Sequence, residues 1–218
     1  MNMDEPAPRC LYLPYERVRW TVTAEELLPV PRHLHVPYSQ VVESRRSIRT
    51  FAPISESDLS TLLWLTAGTR DVSSTDSSVA HRAAPSAGGL HPIHLLIVRQ
   101  QSPFLVRYHS GRHVLEQVKC EHADAVAVMS DASKFMPAGG ASLIVFAAEP
   151  GITASRYHHS ISLVWRDAGV LQGQLCFAAS ALGLACCLLG ATGDAWLTTL
   201  LSESRLLGMG AALVGARQ

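Results

Sequence analysis

"ISLVWRDAGVLQGQLCFAASALGLACCLLG", residues 161–190, decides how this chain folds. Its rear part, 168–190, is the most apolar stretch of the protein and long enough to raise the question of a membrane span. Arg166 and Asp167 stand directly before it, and Gln172 and Gln174 lie inside it, groups that lipid would have to desolvate. From Ser160 to Leu182 the apolar positions Val164, Ala168, Leu171, Leu175, Ala178 and Leu182 step by three and four. That spacing predicts one long helix buried along a single stripe in a protein core. Gly183 ends the helix, and "CCLLG" then reads as a strand.

Working outward, "ASLIVFAAE" at 141–149 reads as an apolar central strand, and strands are expected at 93–99, 104–109 and 112–118. The last two are joined by a hairpin turn at "HSGR", and "GAALVGA" at 210–216 reads as a closing strand. Short helices are expected at 38–46 and 123–130, with another from Asp194, as its cap, to Leu201. "SESD" at 55–58 resembles a capping box and opens a helix carrying Leu59, Leu62, Leu63 and Ala67 on one face, closed by Gly68. The serine-rich stretch 70–80 is expected to be a mobile loop. Residues 1–37, proline-bearing and without period, read as a partly extended arm ahead of a domain spanning 38–218. Helices and strands alternate without a βαβ rhythm, so the expected class is α+β.

Composition narrows the function. Lysine plus arginine and aspartate plus glutamate both number 18, so no net field attracts nucleic acid or an anionic membrane. The N-terminus has no apolar signal core, and five cysteines without repeated CxxC spacing argue against a disulfide framework, which fits a cytoplasmic setting. Cys176, Cys186 and Cys187 lie in apolar stretches, where a thiol is expected to stay protonated and inert. The histidines lack carboxylates at ligand spacing, so no metal site is expected.

Four short clusters have the makings of a site. Arg45, Arg46 and Arg49, with Ser47 among them, crowd three guanidinium groups that repel unless they are solvated or share an anion, and the arginine fork suits phosphate. In "HRAAPSAGGLHPIHLLIV", 81–98, two adjacent glycines precede a buried strand, a costly choice unless a flat body must approach the backbone. "RYHHS", 156–160, sets a tyrosine beside a cation, an arrangement suited to a general base. "LLGATG", 188–193, leaves room beside a ligand. Taken singly, each is equally readable as a solvated turn or a tight loop.

Their order resembles the nitroreductase-like flavoproteins over about residues 40–217, and more narrowly the SagB-type branch, the FMN-dependent dehydrogenases of thiazole and oxazole formation. The resemblance implies a central, mostly antiparallel sheet flanked by helices, and a homodimer binding FMN at its interface with both subunits contributing. It implies that Arg45, Arg46 and Ser47 hold the FMN phosphate and ribityl chain, with Arg49 supporting them from behind and Arg217 as a further phosphate ligand. Pro85, Ser86, Ala87, Gly88 and Gly89 would lie against the isoalloxazine, and Leu189, Gly190 and Ala191 along its other side.

The implied reaction oxidises an azoline ring within a peptide or carrier-bound substrate: a base takes the α proton and hydride passes to flavin N5. Where azole-forming relatives carry Lys-Tyr, this chain has Arg156-Tyr157, so Tyr157 is the candidate base and Arg156 its electrostatic support. The absence of the longer relatives' N-terminal extension suggests a biosynthetic partner enzyme. Two alternatives remain open at this level: an NAD(P)H-dependent nitroreductase or quinone reductase, and a catalytically silent scaffold.

Overall fold

The computed structural model describes residues 4–72, 79–100, 102–120, 125–201 and 203–218. The elements follow in chain order. The first part holds β1 (Ala7–Pro8), β2 (Val22–Leu27), α1 (Tyr38–Ser44), α2 (Glu56–Ala67), β3 (Thr69–Val72) and β4 (Ala80–Arg82). Then come β5 (Ile93–Val98), β6 (Leu105–His109), β7 (Val114–Val118), α3 (Ala125–Ala132), β8 (Ser142–Ala148) and α4 (Pro150–Ala154). The last are β9 (Tyr157–His158), α5 (Ile161–Ala181), β10 (Ala185–Leu189), α6 (Asp194–Leu200) and β11 (Leu207–Gly215).

Seven strands form one antiparallel sheet in the order β10-β11-β8-β5-β6-β7-β2. Residues of β8 are buried on both faces of the sheet, which explains its unbroken apolar run. On one face Ile93, Leu95, Ile97, Ile144 and Phe146 pack against α2 and α5. On the other, Leu96, Val98, Leu143 and Val145 pack against α3, α6 and the arm residue Val18.

The stripe read from the sequence is the buried face of α5: Val164, Ala168, Leu171, Leu175 and Ala178 are all in the core. Burying each larger aliphatic side chain there contributes about 1.5–3 kcal/mol. Among the described residues no helix is long and apolar enough to cross a membrane. At the start of α2 the Ser55 hydroxyl accepts from the Asp58 N–H and donates to the Asp58 carboxylate, and Gly68 closes the helix, as the motif predicts.

Three expectations change. The arm contributes β2, which pairs with β7 as the seventh strand, because its Val-Thr-Ala-Glu-Glu-Leu run supplies the backbone partners that edge strand needs. The flanks of the serine-rich stretch are ordered as the antiparallel pair β3 and β4, while residues 73–78 lie outside the described residues. Finally, α6 is preceded by Gly193 in the left-handed region, and Asp194 instead accepts a hydrogen bond from the Gly208 N–H, 2.9 Å away.

Candidate functional site

The four clusters collect into two groups. Directly after α1, residues 45–49 run along the sheet edge: the Ile48 N–H donates to the Cys186 carbonyl of β10 (3.1 Å). Ala52 and Ala216 then exchange a reciprocal pair of backbone hydrogen bonds, which brings Arg217 to the same edge. Arg45, Arg46, Ser47, Arg49 and Arg217 are all exposed. Among the described residues no carboxylate pairs with any of the four guanidinium groups; Arg217 touches only the Leu184 carbonyl. Leu189, Gly190 and Ala191 lie at the opposite end of β10 from these arginines, where the Gly210 N–H donates to the Thr192 carbonyl, and open space stands where a Gly190 side chain would be.

The second group forms around the glycine loop. Ala87–Gly89 make a single 3₁₀ turn, with Gly88 and Gly89 at φ of +60° and +65°, where a side chain is disfavoured. A Cβ on Gly88 would stand 2.9 Å from the Tyr157 hydroxyl oxygen. The fold thus presses Tyr157 against the loop that the sequence had placed 69 positions earlier in the chain.

The loop is pinned by a residue the sequence reading passed over. Asp167, buried on α5, accepts from the Ser86 hydroxyl (2.6 Å) and from the Ala87 N–H (3.1 Å). Ser86 Oγ in turn accepts from the His91 N–H (2.9 Å). Burial raises the Asp167 carboxyl above its usual range, against the lowering effect of these donors. One turn of sequence context, a lone acid at the mouth of an apolar helix, was the available signal.

Tyr157 is also held from the arm side. β1 pairs with β9, setting Pro8 opposite Tyr157, and the Arg9 N–H donates to the Arg156 carbonyl (2.8 Å). The Arg156 guanidinium stacks on the Tyr12 ring, 3.7 Å from its centroid. Further along the arm, buried Glu149 accepts from Tyr15 Oη (2.9 Å), the Val18 N–H (2.6 Å) and His94 Nε2 (2.9 Å). Burial would raise the Glu149 carboxyl, but these three donors outweigh it and hold the group below its usual range. Burial lowers His94, so the contact joins a neutral imidazole to a carboxylate.

The two groups sit near opposite ends of α5. Asp167 grips the glycine loop, while Ser180 meets α1 through the Ser44 hydroxyl and the Val41 carbonyl. Thirteen residues of helix separate them, about 20 Å. Cys176 and Cys186 bring their sulfurs to 4.0 Å; that thiol–thiol contact lowers Cys176 and, with burial, raises Cys186, while the Arg45 charge lowers both. Among the described residues no cluster of three His, Cys, Asp or Glu could hold a metal ion.

A phosphate and a flat ring fit what is present: unpaired exposed guanidinium groups, open space at Gly190, and a positive-φ turn at Gly88 and Gly89 that is backed by the Tyr157 hydroxyl and Val79. The family model described as Nitroreductase family matches residues 42–210. None of the curated proteins matches the chain in sequence. Among solved structures, a nitroreductase-type protein from Ralstonia eutropha JMP134 superposes with a TM-score of 0.71 at 21% identity, over 95% of this chain and 98% of its own. The E. coli microcin synthetase McbBCD complex, with truncated pro-MccB17 bound, includes a chain that superposes at 0.61 and 15% identity, over 87% of this chain and 76% of its own. An NADH-oxidase-type protein of Clostridium acetobutylicum gives 0.56 at 16%, over 82% and 87%. At these identities the likeness is one of fold.

Proposed function

Since the chain belongs to the nitroreductase family of oxidoreductases, we propose that it is an FMN-dependent dehydrogenase that oxidises an azoline-type ring in a peptide or carrier-bound substrate. The observation that carries this reading is the placement of the Tyr157 hydroxyl against Gly88, in a loop pinned by Asp167. A flat ring lying on that loop has a proton acceptor at its rim, the arrangement that base-assisted dehydrogenation requires and that a simple nicotinamide oxidase does not.

Arg45, Arg46 and Ser47 would hold the FMN phosphate and ribityl chain, with Arg49 behind them and Arg217 at the same edge. Pro85 to Gly89 would face the ring on one side, and Leu189, Gly190 and Ala191 on the other. Bound FMN supplies the two-electron acceptor. Tyr157, acting as its phenolate beside the Arg156 charge, would take the α proton of the substrate at Oη and end the step as the neutral phenol. Asp167 keeps the Ser86–Ala87 backbone in register so that Tyr157 and the loop stay at fixed separation. The arm, through β1 and Tyr12, closes the side of the Tyr157 segment.

The working unit in this proposal is a homodimer. In a single chain Asp167, which grips the ring loop, and Ser180, which meets α1 just ahead of the phosphate group, are about 20 Å apart along α5. An antiparallel α5–α5 contact across a two-fold axis would bring the Asp167 end of one copy beside the Ser180 end of the other. The outward side of α5 suits that contact: Ile161, Trp165 and Val170 are exposed, and Gly169 and Gly173 leave open space for a partner's backbone. The fold likeness to a chain of the microcin synthetase complex supports delivery of substrate by a biosynthetic partner.

The test begins with the spectrum of the purified protein and the mass of any chromophore released on denaturation. FMN, followed by oxidation of a thiazoline peptide without NAD(P)H, supports the proposal. Rapid reduction of the bound flavin by NADPH with turnover on a quinone, and none on azolines, overturns it in favour of a reductase. A protein that ignores added FMN overturns both and leaves a scaffold.

A further inference from the structure

Behind the glycine loop lies a cleft of about 230 Å³ that no part of the proposed reaction uses. Ala80, Arg82 and Thr69 line it from the β3–β4 pair, where alternate residues of β4 share a face. His91, His94, Arg107 and Tyr108 line it from the main sheet, and Arg17 from the arm.

Arg82 is the anomaly. Its Nε is buried without a hydrogen-bond partner, and among the described residues no carboxylate pairs with it. Arg82 as a whole is half-buried; burial pulls it down to about 10, so at neutral pH it stays charged on the cleft wall. A guanidinium whose Nε lacks a partner there is suited to an anion's oxygens.

The neighbouring acids are already engaged. Glu116 accepts from Arg107 Nε (2.9 Å) and from Arg112 (2.6 Å), and Glu149 is held by Tyr15, Val18 and His94. The histidines add no countercharge. His91, held at φ +47° with its Nε2 on the Ala80 carbonyl (2.7 Å), is lowered to about 4 by burial, and His94 is lowered as well. Both present neutral rings. Among the described residues the cleft therefore has a net positive lining and a mouth at Arg17, which is exposed.

We infer that this cleft is a binding site for an oxyanion, the carboxylate or phosphate of a small ligand, with the half-buried Arg82 as its counter-ion and Arg17 at its entrance. A second cleft, lined by Tyr12, Tyr15, Arg17, Leu90 and Arg156, shares Arg17 and Leu90 with the first. The anion site thus opens along the underside of the arm toward the Tyr157 segment. The inference stands without the FMN reading, since none of its residues belongs to the phosphate group at Arg45–Ser47.

The test titrates the protein as purified with inorganic phosphate and with succinate at constant ionic strength, read by calorimetry and by thermal midpoint. The site predicts binding of at least one probe, weakened about tenfold or more in Arg82→Met. The same variant, freed of an unpaired half-buried charge, should melt higher than the wild type when no anion is present. Flavin content should not change. A preference for phosphate or for succinate identifies which kind of ligand the cleft takes. Should Arg82→Met fail to fold, Arg17→Gln, at the exposed mouth, should weaken binding several-fold. Absence of binding in the wild type, unchanged affinity in the folded variant, or binding that vanishes in Arg46→Ala but survives Arg82→Met overturns the inference.

Discussion

The two halves of the candidate site are built by opposite means. Arg45, Arg46, Ser47, Arg49 and Arg217 lie exposed along a sheet edge, anchored by backbone hydrogen bonds and by the half-buried Ile48, and among the described residues no carboxylate pairs with their charges. The Gly88–Tyr157 half is held by side chains that never face solvent, Asp167 under the loop and Glu149 under the arm. In the proposed function the first half is a receptor whose energy would come from its ligand. The second is a scaffold whose energy is spent in advance, so that a hydroxyl and a glycine turn meet at a set distance.

That difference predicts different failures. Tyr157→Phe should keep bound flavin and lose turnover by about a hundredfold or more, because the scaffold survives and only the proton acceptor goes; turnover equal to the wild type removes Tyr157 from the reaction. Arg46→Ala should keep the fold and weaken FMN by about 10- to 100-fold, the worth of a charge-assisted hydrogen bond. Retention of a full complement of flavin at low FMN concentration would show that the edge is not the phosphate receptor. In the scaffold half, Gly88→Val places a side chain where the Tyr157 hydroxyl stands, so flavin should be lost while the dimer persists.

Smaller effects sharpen the contrast. Asp167→Ala leaves the Ser86 hydroxyl and the Ala87 N–H without their acceptor, at a cost of about 1–3 kcal/mol. The thermal midpoint should fall by roughly 2–4 °C for each kcal/mol, and an unchanged midpoint would mean the loop is held otherwise.

The two buried carboxylates also respond to acid with opposite signs. Glu149 is lowered in the folded protein, so its contribution is present above the unfolded value near 4.5 and is lost as pH falls through the folded one. Asp167 is raised, so its contribution is greatest below 3.8 and is lost as pH rises through its folded value. Glu149→Gln should therefore flatten the loss of thermal stability below about pH 4.5, and Asp167→Asn should not. Flattening by Asp167→Asn alone would reverse the assignment.

What the sequence made legible follows the same division. The α5 stripe, the Ser55 cap and the apolar β8 run are local periodicities, and each became the element it predicts. The arginine cluster was legible because like charges close in sequence demand an explanation wherever they fold. The grip of Asp167 on a loop 80 residues away, the pairing of Pro8 with Tyr157, and the Glu149 bonds to the arm are contacts between residues distant in the chain. No local pattern encodes them. β2 escaped for a related reason: its residues are mostly exposed, and only the open edge of β7 makes them a strand. Arg82 drew no reading from the sequence, since only the folded cleft leaves its Nε without a partner.

The central claim is that each site takes its phosphate group from one copy and its ring loop from the other, and subunit complementation tests this directly. Arg46→Ala and Gly88→Val chains, each colourless alone, would be co-expressed with different tags and the mixed dimer isolated. The account predicts that flavin returns to that dimer at one FMN per pair of chains, because one of its two sites then combines two intact halves. A mixed dimer as colourless as its parents would contradict it, placing both halves of each site in a single chain.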